Sequence, residues 1–147
     1  MLAIIRSHTI DLPLFLHVLG AIVLFGATSA ATILAWAGRR GKNLPALARA
    51  AFGTLLFCAL PAWLLLFLFG SATKSREHLP NGIHWVDVPA AIAGAGLLVL
   101  LAATAAAFAW SRRPQGSWQP RAVGLLSAGY LVALAFAWWV MTAKPAL

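Results

Sequence analysis

Acidic residues are nearly missing from this sequence: 147 residues hold three aspartates and glutamates against eleven lysines and arginines. All three, Asp11, Glu77 and Asp87, fall at the edges of long apolar runs, and no run contains a carboxylate or a lysine. A pump or proton relay through the apolar body has no carboxylate or lysine to work with. Paired acids for general acid–base chemistry are also missing, so the expectation is a protein with no catalytic residue and no catalytic activity of its own. Cysteine occurs once, at Cys58, which excludes a disulfide within the sequence, a CxxC pair and a CxxCH haem attachment. Inside an apolar run it reads as a small buried side chain. Only Met1 and Met141 carry thioethers, and neither sits in an MxxM or HxxM pattern.

What is abundant is hydrocarbon. Hydrophobic residues make up 62% of the chain and charged ones 10%, far from the roughly 25% charged of an ordinary soluble domain. Four runs exceed the length of about 18 residues needed to cross a bilayer: 12–36, 47–70, 88–110 and 122–141. The first run is too long for a secretory signal, and its arginine pair follows it instead of preceding it. The reading is a single transmembrane domain over 1–147, an all-α integral membrane four-helix bundle of up-down topology. The lipid bilayer is its first partner.

The charges give an orientation. Arg39, Arg40, Lys42 and Arg49 cluster around the first link, and Arg112, Arg113 and Arg121 around the third, with no acid in either. By the positive-inside rule, loops 37–46 and 111–121 are cytoplasmic, while loop 71–87 and both termini lie outside. The basic excess therefore serves topology and lipid headgroups, and nucleic acid is excluded as a partner. Trp36, Trp110 and Trp118 at the inner ends, with Trp85, Trp138 and Trp139 at the outer ends, read as two aromatic belts.

Local signals refine the helices. Asp11 before Leu12 and Pro13 reads as a helix start. Residues 1–11 form a short arm on the outer interface. Pro61 predicts a kink in the second span. The third, dominated by alanine and glycine, reads as a central helix, because small residues let backbones approach where no hydrophobic force draws helices together.

One residue stands apart. His17 interrupts "PLFLHVLGAIVLFG", and an imidazole in lipid must find a partner, since an unsatisfied polar group there costs about 2 to 7 kcal/mol. At 100° per residue it shares a face with Pro13, Gly20, Ala21, Leu24, Thr28, Ala31 and Ala35, while Phe15, Leu19, Ile22, Val23 and Ile33 lie opposite. It therefore faces protein, roughly 8 Å below the outer boundary. Gly94 and Gly96 of the third span fall at comparable depth, as do Trp63 or Leu64 of the second. His17 with Gly20, Gly94 and Gly96 thus makes a candidate slot for a flat macrocycle such as haem b, with neutral imidazole as axial ligand. A second candidate gathers His17, His84, His78 and His8 on the outer side as a copper or other metal site. Quinone or proton handling is a further option. The alternative needs no cofactor: His17 bonds a carbonyl or hydroxyl of a neighbouring helix and fixes its register.

The motif LHxxG at Leu16, His17 and Gly20, the four spans and the terminal "MTAKP" resemble small bacterial four-helix membrane proteins loosely related to the copper-resistance-D-like family. That resemblance implies a bacterial cytoplasmic membrane and His17 as a haem or metal ligand. Membrane protoporphyrinogen oxidases with a first-helix histidine are similar too, but they use a lysine in a later helix, and this chain has none inside a span. The expectation is an accessory or cofactor-supporting subunit of a larger membrane assembly, for instance an electron-transfer one. A homo-oligomer is the alternative assembly, and a self-standing haem- or copper-binding protein the alternative function.

Overall fold

The computed structural model describes residues 8–40, 44–76, 78, 82–115 and 118–143, with the side chains of 8–11 and 84 outside that description. Four long helices follow one another: α1 (His8–Gly38), α2 (Leu44–Arg76), α3 (His84–Arg112) and α4 (Gln119–Ala143). All four are long and apolar enough to cross a membrane, and the described residues form an all-α multi-pass bundle. Each helix packs mainly on two others. α1 lies against α2 and α4, and α3 lies against α4 and α2, which closes a four-membered ring. The third span is therefore not central: it is one side of the ring, with a face left outward.

The helices run further than the hydropathy predicts. α1 already includes His8, so Asp11 lies inside the helix and does not start it, and the expected interfacial arm is outside the described residues except for the first turn of α1. α2 extends from Leu44 to Arg76, 33 residues and about 50 Å, well over the roughly 30 Å of hydrocarbon. The outer link shrinks accordingly to 77–83. It is tied by Asp87, whose Oδ1 lies 2.9 Å from Lys74 Nζ and whose Oδ2 accepts from the Gly82 N–H at 2.7 Å.

Pro61 shapes α2 in an unforeseen way. Leu55–Ala59 form a π-helical turn, and the Leu60 N–H reaches back five residues to the Leu55 carbonyl. Proline has no N–H to give to a carbonyl four residues behind it, and widening the preceding turn absorbs that gap. The wide turn also keeps residues spaced by four, Ala51, Leu55, Ala59 and Trp63, on the buried side. Cys58, in the same turn, is exposed and not buried as its sequence context suggests.

Alanine dominates the interior. Ala27, Ala31 and Ala35 of α1, Ala59 and Ala62 of α2, and Ala103 and Ala107 of α3 are buried around Leu24, Leu55, Leu100 and Val123. In lipid the association of helices rests on close van der Waals packing, which small side chains permit. Bulky residues face the other way: Phe15, Ile22 and Ile33 are each more than 60% exposed, as their opposition to the His17 face predicts. One tryptophan assigned to a belt is not there. Trp110 is completely buried, packed on Gly38 with its indole N–H donated to the Pro114 carbonyl.

Candidate functional site: the histidine seam between α1 and α2

His17 sits where α1 and α2 approach most intimately. A Cβ at Gly20 would come within 2.7 Å of the Leu66 backbone nitrogen and 3.0 Å of the Ala62 carbonyl oxygen, so only glycine lets the two backbones meet there. One turn nearer the N-terminus of α1, the His17 ring lies over Gly70, where a Cβ would stand 2.8 Å from Nδ1. The two glycines, one from each helix, admit first a backbone and then an imidazole. Neither can be enlarged without moving the seam.

The imidazole finds its partner across the seam, on α2. Nδ1 lies 2.8 Å from the Leu66 carbonyl oxygen. A carbonyl only accepts, so Nδ1 carries the proton and donates it. This bond answers the question raised by a histidine in hydrocarbon: it meets a neighbouring helix's carbonyl. It also fixes the tautomer of the neutral ring, leaving Nε2 with the lone pair, the arrangement that metal-binding histidines generally adopt.

The expected cofactor residues are not brought together. Gly20 is filled by α2 backbone, Gly96 by the phenol ring of Tyr130 across the α3–α4 seam, and Gly94 faces outward with nothing within 4 Å among the described residues. His17 and Gly20 belong to one seam and Gly96 to another, so no flat ring contacts all four residues. These residues do not fit the porphyrin slot predicted for them. The depth estimate misses by two or three residues, under one helical turn, because α2 continues past Gly70 and brings Leu66 to His17 instead of Trp63 or Leu64. Trp63 instead donates its indole N–H to the Ala93 carbonyl of α3 at 2.7 Å.

Of the expected metal set, only His17 and His78 have described side chains. Among the described residues no group of three or more histidine, cysteine, aspartate or glutamate side chains could hold an ion. His78 is exposed beyond the end of α2 at a positive φ of 50°. The side chains of His8 and His84 lie outside the described residues.

Two contributors escape the sequence reading. Leu66 acts through its carbonyl, which no side chain announces, and Gly70 looks like the end of a hydrophobic run. The recurrence of glycine opposite a polar residue at the same depth was the available signal.

The charges separate by end. Arg39, Arg40, Arg49, Arg112, Arg113 and Arg121 are exposed at the end of the bundle where α1 and α3 finish and α2 and α4 begin. Asp87 and Lys74 occupy the opposite end. Comparison with protein-family models, with curated proteins and with solved structures finds no match for this chain.

Proposed function

We propose that this protein is an accessory subunit that supports a larger membrane assembly, oriented with its arginine-rich end in the cytoplasm. The observation that carries the reading is the outer face of α3, where Ala91, Gly94, Ala95, Ala102 and Ala105 are exposed and small around the bulkier Leu98, Leu101 and Phe108. A helix facing only lipid has no use for such a surface, whereas a partner helix packs closely on it. The flanking helices turn Leu125, Val132, Phe136 and Trp138 of α4 and Phe57, Leu64 and Leu68 of α2 outward, as lipid-facing or partner-facing bulk. The test is purification of the full chain from its native membrane in mild detergent. Stoichiometric recovery with larger membrane subunits, lost in Gly94→Leu while the isolated protein melts as before, is expected; recovery of the wild type as a lone monomer overturns the reading.

A second reading keeps His17 as a haem or copper ligand, alone or with a residue from elsewhere. It is favoured by the Nδ1 bond to Leu66, which leaves Nε2 as the ligating nitrogen. A reducible visible band that vanishes in His17→Ala supports haem, and stoichiometric copper lost in the same variant supports copper. A colourless, metal-free and folded wild type removes this reading without touching the first.

A further inference from the structure

The arginine-rich end of the bundle has two unlike corners. Where α2 meets α3, side chains are engaged: Arg49 donates from Nε to the Pro45 carbonyl at 3.2 Å, and the Arg112 guanidinium stands 5.1 Å over the Phe108 ring, which packs on Phe52. Where α1 meets α4, they are not. Arg39, Arg40 and Arg121 are exposed, and among the described residues no hydrogen bond, ion pair or ring contact occupies their guanidinium groups. The sequence holds no acid between Asp11 and Glu77 or after Asp87, so three permanent cations collect at this corner without a carboxylate from their own helices.

Trp36 sets the register of the three. A Cβ at Gly124 would lie 3.2 Å from its indole Cδ1 and 3.3 Å from Nε1, so the ring crosses from α1 onto a notch in α4. The Arg39 and Arg40 N–H groups bond back to the Trp36 and Ala37 carbonyls, which continues the winding of α1 past Gly38. Arg39 and Arg40 follow Trp36 by three and four residues, and in the antiparallel α4 Arg121 precedes Gly124 by three. All three therefore stand about one turn, roughly 4 to 6 Å, beyond the Trp36 contact and on the faces that meet there. Trp36 itself is more than half exposed. Its indole N–H meets no acceptor among the described residues, whereas Trp63 and Trp110 donate to the Ala93 and Pro114 carbonyls. On the other side of Trp36, deeper in the span, Ile33 and Leu125 are strongly exposed.

We infer that this corner binds one anionic phospholipid, its phosphate between Arg121 and the Arg39 and Arg40 pair, the Trp36 N–H as a further donor, and its acyl chains along Ile33 and Leu125. Guanidinium donors match phosphate oxygens in geometry and charge. Indole sits where headgroup and hydrocarbon meet, and basic pockets between spanning helices suit anionic headgroups. The order from arginine through indole to aliphatic side chain along one seam follows the order of a lipid from phosphate to chain. A soluble anion would use only the first of these.

Native mass spectrometry of the full chain in detergent, given equal amounts of phosphatidylglycerol and phosphatidylcholine, tests this. The parent is expected to retain one phosphatidylglycerol about tenfold in preference to phosphatidylcholine. Two triple variants remove the same charge: Arg39→Gln, Arg40→Gln, Arg121→Gln should abolish the preference, and Arg49→Gln, Arg112→Gln, Arg113→Gln should keep it. General attraction to a basic surface falls equally in both, so only a built corner separates them. Trp36→Phe keeps a ring on Gly124 and removes the N–H, and should weaken retention about three- to tenfold with the melting temperature unchanged. Equal retention of the two lipids by the parent, or equal losses in the two triple variants, overturns the inference. So does displacement of the lipid by inorganic phosphate at the same concentration, which would assign the corner to a free ion.

Discussion

The α1–α2 seam and the α3–α4 seam use glycine for different ends. At the first, Gly20 brings backbone against backbone and Gly70 makes room for a histidine whose N–H is bonded to Leu66. At the second, Gly96 receives an aromatic ring whose hydroxyl has no hydrogen-bond partner among the described residues. One seam is fixed by a direct bond between helices, the other by packing around a polar end. A stripe of small residues therefore does not reveal whether a cofactor, a backbone or a neighbouring side chain fills it. The outcome depends on what the opposing helix presents at that depth.

The largest predicted effect attacks the tighter seam. Gly20→Leu drives a side chain into the backbone at Leu66 and Ala62, where nothing can yield except the helix itself. It should destabilise the bundle by about 3 kcal/mol or more, read by denaturant titration in micelles. The same change at Gly94 meets nothing within 4 Å and should leave the isolated protein unchanged. Equal losses at the two positions would erase the distinction between a filled and an open glycine.

The next effect isolates the histidine. His17→Ala removes one interhelical hydrogen bond and should cost about 1 to 2 kcal/mol. Gly70→Ala places its methyl against the imidazole and should cost about 1 kcal/mol alone. In the His17→Ala background the methyl enters vacated space, so the double variant should be more stable than the sum of the single losses predicts. Strict additivity in that cycle would show that the ring does not pack on Gly70.

The smallest effect belongs to the outer link. Asp87→Asn removes the charge that faces Lys74 but keeps an oxygen for the Gly82 N–H. Both ion-pair side chains are partly exposed, at 28% for Lys74 and 41% for Asp87. A loss under about 1 kcal/mol, shrinking further in high salt, is expected. A salt-independent loss would assign the effect to the Gly82 hydrogen bond instead.

Much of the fold is legible because lipid leaves a chain few choices. Uninterrupted hydrocarbon of this length has to be helical, and the 100° periodicity of α1 separates its buried face from its exposed one residue by residue. Helix ends are less legible: hydropathy stops at Gly70, while the helix continues to Arg76 and its Lys74 pairs with Asp87 across the link. Trp110 misleads for a related reason. Its position near a basic end matches an interfacial belt, but Gly38 of another helix accommodates its ring in the core.

The sequence by itself determined the four helices, their alternating direction, the separation of charge between the ends and the inward face of His17. These follow from composition and periodicity, which act within one segment at a time. Tertiary structure alone decided that His17 bonds the Leu66 carbonyl, that Gly96 holds Tyr130, and that Gly94 stays open. Such outcomes depend on the relative shift of two helices along their axes. A displacement of one turn, about 5.4 Å, is enough to exchange a cofactor slot for a closed seam.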